Sequence, residues 1–243
     1  MAQREPMKLY AHRGVMAHYP ENTMSAFKAA IKVGADGIET DVHMTRDGEL
    51  VLIHDESLER TTDGRGRVVE KTFAELRTAN AAFRFGGEEP IPTLEAFLKL
   101  VKPTPLLVNL ELKTDVEHYR GIERRLIEIV ERTGFPAERL IVSSFNHETL
   151  RRLRELTTEY ELAALSSKRM TDPVSYLKQL GANALHPSVR ALTDAEIEAL
   201  VEAGIRVRPY TVKTEEQLHR FSRLGVDALF VNDVEWARAH LTP

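Results

Sequence analysis

Short apolar segments alternate with longer amphipathic segments along most of the chain. A helix candidate follows each apolar segment, with apolar residues at the spacing of one helical face. Repeated strand–helix units indicate a parallel sheet, and eight of them predict an α/β fold of the closed (β/α)8 TIM-barrel type. The eight predicted strands are residues 8–12, 37–41, 106–112, 140–144, 161–166, 182–186, 205–212 and 227–232.

An open, doubly wound sheet is the structural alternative to the barrel. Such sheets often bind a dinucleotide through a G-x-G-x-x-G loop after the first strand. Here the first strand is followed by HRGVMAHYPENT, which contains no such loop. The usual reason to prefer the open sheet is therefore missing, and the barrel is the predicted fold.

One region interrupts the alternation. Residues 42–92 contain the apolar run ELVLIH, a DGRGR turn and two prolines near the end. We interpret this region as a hairpin and small subdomain inserted after the second strand, within a single domain of residues 1–243. Phe73, Phe83 and Phe85 are predicted to form the core of that subdomain rather than an apolar surface patch.

Composition narrows the possible partners and locations. The chain of 243 residues is 42% apolar and 29% charged, as in ordinary globular proteins, and its net charge of -4 argues against nucleic-acid binding. The absence of cysteine excludes disulfides and thiolate metal sites, and fits a reducing compartment. We find neither a signal-peptide pattern nor a stretch near the ~20 apolar residues of a membrane span. The sequence predicts a cytoplasmic protein without stable membrane insertion.

Polar residues stand at the ends of several predicted strands. In a TIM barrel, functional groups gather where the strands end, at the C-terminal face. The candidates are His12 and Arg13 after the first strand, Glu39 and Asp41 on the second, His54 on the hairpin strand, and Glu111 and Lys113 after the next.

Three of these polar residues are carboxylates. Glu39 and Asp41 share one strand face, because successive side chains point to opposite faces, and they would repel each other strongly if partly buried. A divalent cation would offset this repulsion. Glu111, on the neighbouring strand, reaches the same end of the barrel, its mouth. Oxygen ligands favour a hard ion, so one Mg²⁺ or Ca²⁺ is predicted. Solvated surface carboxylates are the alternative interpretation.

His12 and His54 end different strands near the predicted metal site. Two imidazoles can act as acid and base in the cleavage of a phosphodiester, although the sequence does not say which is which. Arg13 and Lys113 lie beside the carboxylates and can bind phosphate oxygens. The alternatives are a hydrogen-bonded structural pair of histidines and plain ion pairs for the two cations.

The motifs that carry these residues resemble those of glycerophosphodiester phosphodiesterases. The matching segments are AHRG…PENT…AF, IETDVHMTRDGELVLIHD and LERTTDGRG, followed by NLELK and VSSFN. The resemblance covers nearly the whole chain. It implies a barrel with an inserted subdomain that hydrolyses glycerophosphodiesters, such as glycerophosphocholine or glycerophosphoethanolamine, to glycerol 3-phosphate and an alcohol.

The resemblance also implies a role for each candidate residue. His12 and His54 match the family's acid and base residues. Arg13 and Lys113 match residues that touch the phosphate. The ligands of one divalent cation are matched by Glu39, Asp41 and Glu111.

Asn22 and Tyr210 are further candidates. Asn22, in PENT, is predicted to cap the first helix, and it is similar to a family residue that supports the site. Tyr210 opens the run YTVK, where the family often has Trp-Thr-Val-Asn. Its ring can form a flat apolar wall for glycerol and its hydroxyl a polar contact. The preferred head group is left open by this difference.

Several alternatives stay open. Within the proposed reaction, either a substrate hydroxyl, through a cyclic phosphate, or water attacks phosphorus. A lysophospholipase D-like enzyme for lysolipids is the nearest rival. An enolate lyase or isomerase would not need two histidines, and a non-catalytic metal-binding module would not need Arg13 with them. The expected partner is a small-molecule substrate, and the expected state is a monomer or homodimer.

Overall fold

Strands and helices alternate through the part of the chain that the computed structural model describes, residues 6–241. The strands are β1 (Lys8–His12), β2 (Gly37–Met44), β3 (Leu50–Leu52), β4 (Leu107–Leu112), β5 (Leu140–Ser144), β6 (Glu161–Ser166), β7 (Ala184–Pro187), β8 (Arg206–Val207) and β9 (Ala228–Val231). The helices are α1 (Met24–Lys32), α2 (Phe73–Leu76), α3 (Leu94–Val101), α4 (Ile122–Thr133), α5 (His147–Leu156), α6 (Pro173–Leu180), α7 (Asp194–Glu202), α8 (Glu215–Leu224) and α9 (Val234–Leu241).

The parallel strands follow one another around a barrel. Their order is β8-β7-β6-β5-β4-β2-β1-β9, and β3 pairs antiparallel with β2 outside this series. The two ends of the series meet, since Phe230 N donates to Pro209 O at 3.1 Å and Val212 N donates to Phe230 O at 2.9 Å. The predicted TIM barrel is therefore confirmed. None of the helices within residues 6–241 is long and apolar enough to cross a bilayer.

The alternation of side chains along each strand separates two buried layers. On β1, Leu9 and Ala11 belong to the large apolar core, whereas Tyr10 belongs to a smaller cluster with Phe230 from β9. Because side chains alternate, His12 lies on the same face as Tyr10. The helices pack over the first layer, so the second layer is the barrel interior, and polar residues on it can meet at the mouth.

One predicted strand is much shorter in the structure. The segment 205–212 forms a ladder only at Arg206–Val207 and then continues through single bridges, Ser188 with Tyr210 and Val212 with Val231. Arg208 N still donates to Leu185 O and Tyr210 N to Pro187 O, whereas Pro209 between them has no N–H to donate. The neighbouring prediction at 182–186 is shifted, with β7 at Ala184–Pro187.

The predicted helix cap at Asn22 is wrong. Thr23 is the N-cap of α1, and its hydroxyl accepts from Ala26 N at 3.4 Å. Asn22 has a φ of 57° and is buried, so its side chain points away from the helix and contacts β2 instead. Asparagine tolerates this left-handed backbone better than most residues.

Residues between β2 and α3 have their own apolar cluster. It contains Val51, Ile53, Leu58, Val68, Leu76, Ala79 and Ile91, and Phe73 packs against it as predicted. Phe83 and Phe85 were placed in this core by the sequence, and that prediction is wrong, because each is 56% exposed. The division into one domain of residues 1–243 with an insertion at 42–92 stays a prediction, and it includes terminal residues outside the described range.

Candidate active site

Strand register brings the predicted polar residues side by side. His12 on β1 pairs with Glu39 on β2, and Asp41 on β2 pairs with Glu111 on β4. Paired residues in parallel strands point to the same face of the sheet. The barrel mouth therefore carries two adjacent pairs, and their proximity follows from backbone geometry alone.

The three carboxylates form a compact cluster. One oxygen from each of Glu39, Asp41 and Glu111 lies within 4.8 Å of the others. Burial raises the pKa of Glu39 well above its usual value, and Asp41 and Glu111 raise it further. Burial also raises the pKa of Glu111, against the effect of Lys113. A buried set of oxygen donors whose charges repel one another fits a hard divalent cation.

Two cations compensate part of this charge. Arg13 Nε lies 3.2 Å from Asp41 Oδ2, in an ion pair without hydrogen-bond geometry. Lys113 Nζ donates to Glu111 Oε1 at 2.9 Å and lies 4.0 Å from Asp41 Oδ1. Burial raises the pKa of Asp41, but Arg13, His54 and Lys113 outweigh it and lower that pKa. Two cations against three carboxylates leave an excess of negative charge when all three are ionised.

The turn after β1 aims Arg13 into the cluster. Arg13 has a φ of 54°, its backbone N donates to Glu39 Oε2 at 3.0 Å, and Nη1 donates to Glu21 Oε1 at 2.9 Å. Gly14 follows with a φ of 78°, and a Cβ there would lie 2.7 Å from Ala26. Only glycine fits this close approach to α1, so the turn that orients Arg13 is sterically fixed.

His12 is held in one tautomer. Its Nδ1 lies 2.8 Å from Asn232 Oδ1, which can only accept, so Nδ1 carries the proton. Nε2 lies 4.0 Å from Glu39 Oε2. Burial, assisted by the charge of Arg13, lowers the pKa of His12 to about 4. The imidazole is therefore neutral near pH 7, with an available lone pair on Nε2.

His54 lies across the mouth and is more exposed, with 30% of its side chain accessible. Its Nδ1 donates to Asp55 Oδ1 at 2.6 Å. Its backbone carbonyl accepts from His43 Nε2 at 3.1 Å, and His43 Nδ1 lies 2.8 Å from Tyr119 OH. His43 is therefore a buried support for the His54 backbone.

Asn22 and Tyr210 occupy different parts of the site. Asn22 Nδ2 donates to Asp41 Oδ2 at 2.9 Å, and its Oδ1 accepts from Thr40 Oγ1 at 2.7 Å. This bond fixes the carboxylate of Asp41. Tyr210 stacks edge-on against Phe145, with ring centroids 6.0 Å apart. Its hydroxyl has no hydrogen-bond partner within the described residues.

A cavity of about 270 Å³ opens between these groups. Six of the nine predicted site residues line it: His12, Arg13, Glu39, His54, Glu111 and Tyr210. The other three contact lining residues, since Asp41 pairs with Arg13, Lys113 with Glu111, and Asn22 N donates to Arg13 O. The structure thus gathers every predicted site residue at one mouth.

Sequence reasoning missed the residues that hold the two histidines and Arg13. These are Asn232 beside His12, Asp55 beside His54, and Glu21 beside Arg13. Asp55 directly follows its histidine in the sequence, which is a usable signal. Asn109 on the cavity wall was also missed. His186, which ends a predicted strand and could have reached the rim, was left out of the predicted site, but it lines the cavity. Each of the two is buried and has one polar atom without a partner in the described chain.

The fold and this mouth define a class: a TIM-barrel enzyme with an acidic candidate metal site between two histidines. Comparison with known proteins is more specific. Residues 12–236 match the model of the glycerophosphoryl diester phosphodiesterase family. The chain therefore belongs to this family, as its motifs predicted, and it is a phosphoric diester hydrolase.

Curated relatives agree over most of the chain. A glycerophosphodiester phosphodiesterase of Bacillus altitudinis is 40% identical over 231 residues, which cover 93% of this chain and 94% of the relative. One from Caldanaerobacter subterraneus subsp. tengcongensis is 38% identical over 228 residues and 93% of each chain.

Solved structures agree in fold. An Oleispira antarctica phosphodiesterase in complex with the product sn-glycerol-3-phosphate has a TM-score of 0.88 and 26% identity, with 97% of each chain covered. A putative glycerophosphodiester phosphodiesterase of Galdieria sulphuraria has a TM-score of 0.89 and 26% identity, with 100% of each chain covered.

Proposed function

We propose that this protein hydrolyses glycerophosphodiesters, such as glycerophosphocholine and glycerophosphoethanolamine, to glycerol 3-phosphate and an alcohol. His12 and His54 exchange protons with the substrate, and Glu39, Asp41 and Glu111 hold one divalent cation. The observation that carries the proposal is the cavity of about 270 Å³ that is lined by both histidines, Glu39 and Glu111. Its size suits a small polar substrate.

Unpaired polar atoms on the cavity wall support glycerol as one part of the substrate. Asn109 Oδ1, His186 Nδ1 and Tyr210 OH have no hydrogen-bond partner among the described residues. A buried polar group without a partner costs about 1–3 kcal/mol, so a ligand that supplies hydroxyls gains affinity if these side chains turn towards the cavity on binding. The Oleispira relative was solved with glycerol 3-phosphate, which supports the same product here.

The donor set supports Mg²⁺ or Ca²⁺ as the cation. Glu39, Asp41 and Glu111 offer carboxylate oxygens only, the ligands that both hard ions prefer. When bound, such a cation neutralises phosphate charge and acidifies an oxygen nucleophile. Asn22 orients Asp41 through its amide. Lys113 balances the charge of Glu111 and offers its ammonium to a phosphate oxygen.

The proton steps divide between the histidines. His12 is neutral near pH 7 because burial lowers its pKa to about 4, so it takes the proton from the attacking hydroxyl or water. His54 then protonates the leaving oxygen. Arg13 lines the cavity and carries a planar guanidinium that can bind phosphate oxygens, while the Tyr210 ring forms a wall for the glycerol.

A coupled assay for glycerol 3-phosphate tests the proposal. The metal-free protein is given glycerophosphocholine or glycerophosphoethanolamine with Mg²⁺, with Ca²⁺ or with excess chelator. We expect turnover with at least one ion, none with chelator, and recovery on re-addition. Turnover that survives exhaustive chelation would remove the cation from the reaction, and absence of glycerol 3-phosphate under every condition would contradict the substrate class.

One observation favours a second candidate, a lysophospholipase D-like activity. Tyr19, Phe83 and Phe85 are exposed, and a second cavity of about 390 Å³ beside the mouth is lined by Tyr19 and Phe85. An exposed apolar patch of this kind can hold an acyl chain. An assay for choline release separates the candidates, because both lysophosphatidylcholine and glycerophosphocholine give choline when the same P–O bond is cut. A kcat/KM for lysophosphatidylcholine above that for glycerophosphocholine would make the lysolipid the better substrate.

The proposal keeps two expectations from the sequence: action in the cytoplasm, and a monomeric or homodimeric state. Light scattering after gel filtration tests the second, because a monomer of this chain has a mass of 27.5 kDa. A larger assembly would contradict it. Cell fractionation tests the first.

A further inference from the structure

A single arginine bridges two carboxylates at the mouth. Arg60 Nε donates to Asp55 Oδ2 at 2.6 Å and Nη2 donates to Asp55 Oδ1 at 2.9 Å. The same guanidinium donates from Nη1 to Glu21 Oε2 at 2.9 Å and from Nη2 to Glu21 Oε1 at 2.7 Å. Paired N–H bonds to one carboxylate are the strongest and most directional contacts that arginine makes.

Each of these carboxylates holds a residue of the candidate site. Asp55 Oδ1 accepts from His54 Nδ1 at 2.6 Å, and Glu21 Oε1 accepts from Arg13 Nη1 at 2.9 Å. Arg60 thus connects a histidine on the insertion to an arginine on the turn after β1. The two sides of the mouth are joined through one side chain.

The charges keep this network ionised. Burial raises the pKa of Asp55, but hydrogen bonds from Arg60 and His54 lower it to about 2. Glu21 is also a carboxylate near neutral pH, since Arg60 and Arg13 outweigh its burial and lower its pKa. Both carboxylates are therefore ionised near neutral pH.

We propose that Arg60 is a positioning residue for the phosphodiester hydrolysis, which acts by fixing Asp55 and Glu21 and, through them, His54 and Arg13. Its assigned role is not phosphate binding, because four of its five N–H groups already bond to the two carboxylates. This inference rests on the two-histidine function proposed above.

The fold of the insertion has other sources of stability. Its apolar cluster, which includes Leu58, Val68 and Leu76, does not contain Arg60, whose side chain is 46% exposed. Exposed ion pairs contribute little to folding in general. We therefore expect loss of Arg60 to change the positions of His54 and Arg13 more than it changes the free energy of unfolding.

Steady-state kinetics on glycerophosphocholine test this role. For Arg60→Ala we expect kcat to fall roughly 10- to 100-fold while KM stays within about 3-fold, because misplacement of a reacting group by ~1 Å has this effect on the chemical step. Arg60→Lys should lie between parent and Arg60→Ala, since an ammonium cannot bond both carboxylates bidentately. Arg46→Ala is the matched control: Arg46 is another exposed arginine of the insertion, and it pairs with Glu75.

A double-mutant cycle adds a readout that a purely structural role would not move. If Arg60 acts on His54 through Asp55, the losses in kcat for Arg60→Ala and Asp55→Asn will not add in the double variant. Thermal unfolding of every variant is measured in parallel. If Arg60→Ala does not fold, Arg60→Lys carries the test through its kcat.

The outcomes separate this inference from the proposed function. Parental kcat in a folded Arg60→Ala variant, or in Arg60→Lys when the former does not fold, overturns the positioning role. So does a rise in KM at unchanged kcat, which would make Arg60 a substrate ligand. Full activity of His54→Ala would instead overturn the two-histidine function, whereas an inactive His54→Ala beside a fully active Arg60→Ala would overturn this inference alone.

Discussion

The two halves of the candidate active site are built in different ways. The strand half comprises His12, Glu39, Asp41 and Glu111, which are held by backbone register on β1, β2 and β4, and Lys113, which directly follows β4. The insertion half is held by side-chain hydrogen bonds outside regular strands, and comprises His54, Asp55 and Arg60. The first is mostly buried, whereas Arg60 and His54 have 46% and 30% of their side chains exposed.

Because of this difference, we expect substitutions in the two halves to affect stability differently. In the strand half, buried carboxylates repel one another, so the metal-free fold is destabilised by groups that would bind a cation. In the insertion half, Asp55 is paired with both Arg60 and His54, and these contacts outweigh the effect of burial on its pKa. Substitutions of Glu39 or Glu111, whose pKa values are raised, should therefore change activity and stability in opposite directions, and substitutions in the insertion half should change mainly activity.

Glu39→Gln gives the sharpest version of this contrast and the largest expected effect. Loss of one carboxylate should lower kcat/KM on the order of 10³-fold, because the proposed cation would keep two charged ligands instead of three. In the metal-free protein near pH 7 the free energy of unfolding should rise by about 1–3 kcal/mol. The buried carboxyl has a raised pKa, so its contribution to stability is lost as pH rises above the unfolded value.

Kinetics with chemical denaturation measure both quantities on the same sample. Glu95→Gln is the control. Glu95 is a carboxylate on α3, not at the mouth, and its Oε1 lies 2.6 Å from Lys99 Nζ. A metal-free Glu39→Gln variant that is less stable than the parent would contradict the view that this half is strained.

Asp55→Asn tests the insertion half, with a smaller expected loss. The amide cannot match the charged acceptor of His54 Nδ1, nor the bidentate bond from Arg60. We expect kcat to fall roughly 10²-fold, with little change in the unfolding midpoint because the carboxylate is partly exposed. Equal losses of activity and stability would erase the distinction between the halves.

The smallest expected effect is a change in stability with pH, which comes from the protonation of His12. Burial lowers the pKa of His12 to about 4 in the folded, metal-free chain, against about 6.5 when unfolded. The unfolded state takes up the proton first, so this contribution to stability is present above pH 6.5 and is lost as pH falls towards 4. Between pH 8 and pH 5 it should decrease by about 2 kcal/mol.

The difference between parent and His12→Gln isolates this contribution from other groups that titrate. Denaturant unfolding at both pH values measures it, and the imidazole signal of His12 should not shift above pH 5 in NMR spectra. An imidazole that titrates near pH 6.5 in the folded chain would show that burial does not control His12.

The residues of the strand half could be predicted from the sequence, because side chains alternate regularly between the two faces of a strand. Alternation along β2 placed Glu39 and Asp41 on one face, and the order of strand ends brought Glu111 beside them. Asp55, Arg60 and Glu21 carry no such period, since irregular backbone and long side chains bring them together. Their contacts require coordinates.

The failed predictions have a similar cause. Asn22 precedes α1 by two residues, a position typical of a cap. Its side-chain amide instead forms hydrogen bonds with Thr40 and Asp41 on β2. Phe83 and Phe85 were assigned to a core on hydrophobicity, yet they lie in a short 3₁₀ turn on the surface. The sequence near each of these residues does not show which distant residues it contacts in the folded chain.

Release of glycerol 3-phosphate from glycerophosphocholine by the parent, His12→Ala and His54→Ala tests the central claim most directly. Both halves must contribute one imidazole, so each variant should be slowed roughly 10²- to 10⁴-fold while circular dichroism shows the parental fold. A folded variant of either histidine that releases glycerol 3-phosphate at the parental rate would contradict the account.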